Sequence, residues 1–177
     1  MKRVGSQLCF CSPERILRRM AVEQDSKNTV TRIFSLDDGI VESANTLFFD
    51  GILSAEIMSI KQSSANKPTQ KLIADFQYID ISEALPTQNI TPCSKPLLLD
   101  FGTNSLQEIN ELLTGFSPEL TSFTIFEIIA ACTFYPALAL NKNGELCQKR
   151  TTQLLLWENV DLVNKKITPQ TSIRAMR

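Results

Sequence analysis

The apolar positions of this chain change period several times, and each change marks a predicted element. Over residues 13–24, Ile16, Leu17 and Met20 share one helical face while Arg15, Arg18 and Arg19 take the other. Ser12-Pro13 ahead of them supplies a hydroxyl for an orphan N–H and a residue with no N–H to waste, so the spacing predicts a short helix. Residues 29–36 alternate and are β-branched, and the Asp37-Asp38-Gly39 turn leads on to Ile40 and Val41, the pattern of a hairpin. Turn chemistry accounts for the paired aspartates more cheaply than a metal or acid–base role does. Residues 46–50 (T-L-F-F-D) read as a second apolar strand, closed by Gly51. Beyond it Ser54-Ala55-Glu56 reads as a helix start for Ile57, Met58 and Ile60, with a hairpin about Asp50-Gly51 as the alternative.

Residues 62–71 are polar and contain a proline, a loop, and residues 72–81 return to strand composition. Pro86, Pro92 and Pro96 keep residues 86–96 irregular, and Leu97 to Phe101 is a continuous apolar run that suits a central strand. Ser105 and Glu108 form a capping box, Ile109, Leu112 and Leu113 a buried stripe, and Gly115 a natural stop. Residues 123–140 are mostly apolar, but Thr124 and Glu127 form another capping box and Pro136 interrupts. A helix from Ile125 to just before Pro136 is about 11 residues, roughly 16 Å, where a bilayer needs ~20 residues. It is therefore expected to be a buried core helix, and no transmembrane segment is expected. An Asn143-Gly144 turn, a strand over residues 152–157 and a polar tail from Asn164 finish the chain. The resulting expectation is an α+β fold, one small mixed sheet packed against three to four helices.

Composition narrows the class. At 177 residues, 43% hydrophobic and 21% charged, the chain fits one globular domain over residues 1–177. Net charge is only −1, yet residues 1–19 hold five basic side chains against Glu14, residues 165–177 hold four with no acid, and the rest has 9 basic against 18 acidic. Flexible basic ends are expected at about 1–11 and 165–177. They lack the interleaved aromatics of a nucleic-acid site, which favours a protein partner over nucleic acid and leaves weak polyanion or membrane-surface contact as an alternative. Residues 1–22 hold no apolar core of a signal peptide, so a cytoplasmic location is expected.

Histidine is absent, which excludes a Ser-His-Asp triad, a Cys-His pair and imidazole-ligated zinc within this chain. Carboxylate, thiol, lysine, tyrosine and backbone chemistry remain. The five cysteines (9, 11, 93, 132 and 147) show no CxxC spacing and read as free thiols. Cys9 and Cys11 are a CxC pair near Lys2, Arg3 and Arg15, cations that lower a thiol pKa; two ordinary thiols in a frayed end is the plainer reading. The six glycines are scattered, with no phosphate-cradling loop, and neither cofactor nor metal is expected.

Within residues 97–157, Phe123-Thr124-Ile125-Phe126-Glu127-Ile128-Ile129-Ala130, Tyr135-Pro136-Ala137-Leu138, Arg150 and Leu155-Leu156-Trp157 carry a resemblance. They resemble an uncharacterised bacterial domain-of-unknown-function family common in actinobacteria, whose members show P-L-T-x-x-E-G-x-A, P-E-x-L, G-S-R and P-A-L-W segments. The resemblance extends upstream to residues 48–62, as that family's strand and S-A-E helix start, which favours the helix there. It implies no established chemistry.

Glu127 is the residue to single out, a lone carboxylate on an apolar helix. It reads either as a pocket carboxylate paired with Arg150, with Tyr135 on the same helical stripe, or as the N3 member of the capping box; the cap is preferred. The function expected is a non-enzymatic binding or interaction protein. The alternative is a histidine-free enzyme using Glu127, Arg150 and Tyr135 or a thiol such as Cys132.

Overall fold

In the computed structural model, which describes residues 1–37, 46–60, 73–81, 90–102 and 104–176, strands dominate. They are β1 (Lys2–Ser12), β2 (Arg15–Gln24), β3 (Val30–Ser35), β4 (Leu47–Ser54), β5 (Gln77–Asp80), β6 (Leu97–Asp100), β7 (Leu155–Glu158) and β8 (Ser172–Ala175). Six form a mixed sheet in the order β3-β2-β1-β4-β7-β8, in which only β1 and β4 run parallel. β5 and β6 pair in parallel as a separate two-stranded sheet. The helices with described bounds are α1 (Leu106–Phe116) and a composite segment: α2 (Ile125–Ile129), a π-turn (Ala130–Phe134) and α3 (Tyr135–Ala139). The expected small sheet against three to four helices is thus corrected to a mostly-sheet fold.

The physical reason is that the large sheet is buried on both faces over its central part, the second half of β4 and β7. Along β4 and β7, Ile52, Leu155 and Trp157 enter a core shared with the helices, while Leu53 and Leu156 enter a second core with Val4, Val22, Val30, Leu146 and Leu154. A strand covered on both sides loses its period-2 signature. Leu154-Leu155-Leu156-Trp157 therefore reads as a plain apolar run. Gly51 lies inside β4, not at its end: a Cβ there would stand 2.3 Å from the Trp157 carbonyl oxygen on β7.

Two-sided burial also explains the largest error, the helix over residues 13–24. That stretch is β2, antiparallel to β1. Ile16 packs against the helix-side core while Leu17 and Met20 pack against the other, so spacing that mimics a helical face serves two faces of a strand. Ser12 pairs with Arg15 across the turn, and Pro13 sits where a fixed φ suits a turn as well as a first helical position. The register slips between Phe10 and Ser12, leaving Cys11 in a β-bulge.

The basic ends are also structured. Residues 2–12 are β1, flanked by β2 and β4, and residues 172–175 are β8 on β7. Arg3 pairs with Glu23, and Arg174 meets Glu158 at 2.7 Å, so these cations are neutralised by neighbouring strands. The helix expected from Ser54 is absent over residues 55–59, and β4 runs through Ser54 instead. Of the strand expected over residues 72–81, residue 72 lies outside the described residues, and over residues 73–81 only β5 is extended. Residues 38–41 of the expected hairpin and the loop over residues 62–71 lie outside the described residues.

Both capping boxes form. Ser105 Oγ accepts the Glu108 N–H at 3.3 Å, and Thr124 Oγ1 accepts that of Glu127 at 3.3 Å. Gly115 does not end α1, which continues to Phe116. Pro136 does not end the second helical segment either. Its missing N–H deprives the Cys132 carbonyl of its usual donor, and the Met58 N–H, from the chain following β4, supplies one at 3.0 Å. Thr133 Oγ1 bonds back to the Ile129 carbonyl at 2.8 Å, and a π-turn absorbs the irregularity.

Candidate functional site

The composite helix presents its first turns to the β1–β2 hairpin turn, and a cleft of about 340 Å³ lies between them. Pro13 and Ile16 line it from the hairpin, Thr124, Phe126, Glu127, Ala130 and Tyr135 from the helix, and Lys165 from the segment before β8. Lys165 is held there by its backbone: it adopts a left-handed φ of 57°, and its carbonyl accepts the Ile125 N–H at 2.7 Å.

Glu127 and Tyr135, expected on one stripe, do share this cleft. One Glu127 carboxylate oxygen accepts both the Thr124 N–H, at 2.7 Å, and the Thr124 hydroxyl, at 2.8 Å. This is the reciprocal arm of the capping box. Tyr135 is half-buried, edge-on to Phe134 with ring centres 5.5 Å apart and tilted against Phe76 at 5.7 Å. Burial, and then the nearby Glu127 and Glu14 carboxylates, push its phenol pKa up. The shift favours the protonated phenol. Among the described residues Lys165 has no ion pair, leaving the cleft one uncommitted cation beside an apolar floor.

Arg150 is not brought to Glu127. Its guanidinium donates to the Glu145 carbonyl at 2.7 Å, its own carbonyl accepts the Val30 N–H at 2.8 Å, and burial lowers its pKa against the opposing effect of Glu56. The Glu127–Arg150 pair is therefore corrected to two separate environments. Cys132 is fully buried in the π-turn, where desolvation raises its thiol pKa and keeps it unreactive.

Sequence reasoning missed Asp100. Its side chain is fully buried at the C-terminal end of β6, with one oxygen accepting the Ser59 hydroxyl at 2.6 Å and the Gly102 N–H at 3.0 Å, and the other the Tyr78 hydroxyl at 3.1 Å. Gly102 makes this possible with a φ of 64°. The available signal was a lone aspartate ending the run Leu97-Leu98-Leu99, which has no business in a core unless several donors await it. With three donors to its two oxygens, Asp100 ties the β5–β6 pair to the chain after β4; it is a structural clasp.

Among the described residues no three Cys, Asp or Glu side chains converge as a metal site, and no helix is long and apolar enough to cross a membrane. No family model matches the chain, and no curated protein does. Among solved structures, N-acetyl-D-glucosamine-6-phosphate deacetylase from Mycobacterium smegmatis aligns over 68% of this chain and 30% of its own, at 6% identity and a TM-score of 0.26. A mutant of that enzyme in complex with N-acetyl-D-glucosamine-6-phosphate gives 67%, 29%, 6% and 0.26. The chain thus spans less than a third of the length of these structures, and the superposition is too poor to carry fold or function across.

Proposed function

We propose that the chain is a non-catalytic binding protein whose cleft between the β1–β2 turn and the composite helix takes an apolar side chain of a protein partner with an acidic group beside it. The observation that carries this reading is the state of Glu127. One oxygen of its carboxylate is taken up by Thr124 and the helix N-terminus, and neither Arg150 nor a thiol stands beside it. What remains is recognition chemistry: Ile16, Phe126 and Ala130 as an apolar floor, the Tyr135 hydroxyl as donor and Lys165 as counter-charge. A volume of about 340 Å³ is at the small end for ligand sites and suits one large side chain.

The test is a thermal-shift panel of short peptides carrying one Leu, Phe or Trp flanked by Glu. A peptide present at 100 times its Kd stabilises by about 2.7 kcal/mol, which raises Tm by several degrees in a chain of this size. The expected shift disappears in Lys165→Glu and shrinks in Phe126→Ala. Silence across the panel, or shifts indifferent to Lys165→Glu, overturns the reading.

A further inference from the structure

Strands β1 and β2 both break their alternation at facing positions. Val4 and Cys9, five residues apart, pack into the second core, and so do Leu17 and Met20, three apart. Residues of one strand share a face only at even spacing, so each strand holds a residue that steps out of turn. In β2 that residue is Arg19, which adopts a left-handed φ of 47°. In β1 the step lies between Val4 and Leu8, where Gln7 stands opposite Arg19. Ser6 pairs with Met20 and Leu8 with Arg18, while Gln7 and Arg19 between them drop out of the ladder.

The consequence is chemical. Consecutive strand residues point to opposite faces, yet Arg18 and Arg19 line one cavity of about 460 Å³, and so do Gln7 and Leu8. Leu162, from the segment after β7, joins Leu8 as the apolar side, and both pack against the helix-side core. A left-handed φ on a bulky side chain is uncommon, and such backbone gathers at ligand-binding positions. Here it sets a second guanidinium beside the first. The cavity shares no lining residue with the Pro13–Tyr135 cleft.

Two cations and one acid face this space. Asp37 Oδ1 meets Arg19 Nη1 at 2.9 Å with more than half of each side chain exposed, and the Asp37 N–H donates to Ser35 Oγ at 3.1 Å. An ion pair that exposed is weak, so it marks a resting place for an oxyanion on Arg19 and leaves it open to a stronger one. Among the described residues Arg18 makes no ion pair. Guanidinium N–H groups fit the oxygens of phosphate and carboxylate, and two guanidiniums together match a group of about −2 charge, as a phosphate monoester carries near pH 7. The cavity is of the size that holds a small molecule, with Leu8 and Leu162 available to its apolar part.

We propose that this cavity binds a small phosphate monoester. Arg18 and Arg19 take the phosphoryl oxygens in place of the Asp37 carboxylate, the Gln7 amide adds a donor, and Leu8 and Leu162 cover the organic part. The site stands apart from the peptide-binding cleft and does not depend on it.

The experiment is isothermal titration of the full chain at low salt with phenyl phosphate, inorganic phosphate and benzoate. These probe the phosphoryl group with an apolar body, the phosphoryl group alone, and a carboxylate with the same body. Phenyl phosphate is expected to bind one per chain and more tightly than either of the others. Arg18→Gln and Arg19→Gln each weaken it by about tenfold or more, as loss of a charge-assisted hydrogen bond does. Asp37→Asn removes the competing carboxylate and tightens it about two- to fivefold. Lys27→Gln, a cation on the turn after β2, leaves it unchanged. All four side chains are exposed, so the variants keep the fold. Absence of binding at millimolar phenyl phosphate overturns the proposal, as does binding indifferent to Arg18→Gln, equally weakened by Lys27→Gln, or not tightened by Asp37→Asn. Benzoate or inorganic phosphate binding as tightly as phenyl phosphate overturns it too.

Discussion

Glu127 and Asp100 show how differently two carboxylates in apolar sequence can be used. Glu127 is exposed and serves its own helix, so Glu127→Ala removes one side of a cap and is expected to cost about 1 kcal/mol in urea unfolding. A double-mutant cycle of Glu127→Ala with Arg150→Ala is expected to give no coupling energy, because the two make separate contacts. Asp100→Ala leaves the buried Ser59 hydroxyl and Gly102 N–H, and the half-buried Tyr78 hydroxyl, without their acceptor, at about 1–3 kcal/mol for each of the two buried donors. The same denaturation measurement should therefore rank Asp100→Ala well below Glu127→Ala in stability. Glu127 was legible in the sequence because a capping box is local, three residues apart. Asp100 was not, because its partners come from positions 59 and 78, and only the fold brings them together.

At the scale of elements, the ones that were legible are those whose determinants lie within a single turn. Helix α1 and the start of α2 were located from Ser105/Glu108 and Thr124/Glu127 alone, and each pair makes both of its bonds. The Ser105 N–H, bonded to the Glu108 carboxylate, holds that group below the usual carboxylate range. Because the folded pKa is depressed, this contribution is present above the unfolded pKa and is lost as pH falls through the folded value. Acid titration of the chain should accordingly lose α1 capping below the ordinary Glu range, and Glu108→Gln should flatten that limb of the stability profile. Helix ends and strands were less legible, since their determinants are distant. Pro136 stops a helix only if the carbonyl four residues back goes unsatisfied, and Met58 satisfies it. Gly51 marks a turn only if the strand ends there, whereas the close approach of Trp157 requires a residue without Cβ in mid-strand. Gly51→Ala is thus expected to destabilise by about 1–3 kcal/mol, as overpacking does, where an alanine in an exposed turn with negative φ would be neutral.

For the whole molecule, the placement of β1 decides what the rest can do. It pairs with β2 on one side and β4 on the other, and sends Phe10 into one core and Val4, Cys9 and Cys11 into the second. The hairpin that β1 makes with β2 also builds one wall of the Pro13–Tyr135 cleft, and its irregular middle positions the Arg18–Arg19 cavity. A basic, glycine- and cysteine-containing start has none of the composition of a central strand, because its burial is supplied by the sheet on both sides and not by its own alternation. The consequence separates a flexible end from a keystone. Removing residues 1–11 from a chain with frayed ends leaves its unfolding midpoint unchanged. Here it removes the buried Val4 and Phe10, each contributing about 1.5–3 kcal/mol, and exposes the edges of β2 and β4. Against a total stability of about 5–15 kcal/mol, those two side chains with the ladder bonds to both neighbours are decisive. The truncated chain is expected to show no cooperative urea transition and to aggregate through the bared strand edges, whereas a midpoint within experimental error of the full chain would mean that β1 is dispensable and the sheet is held elsewhere.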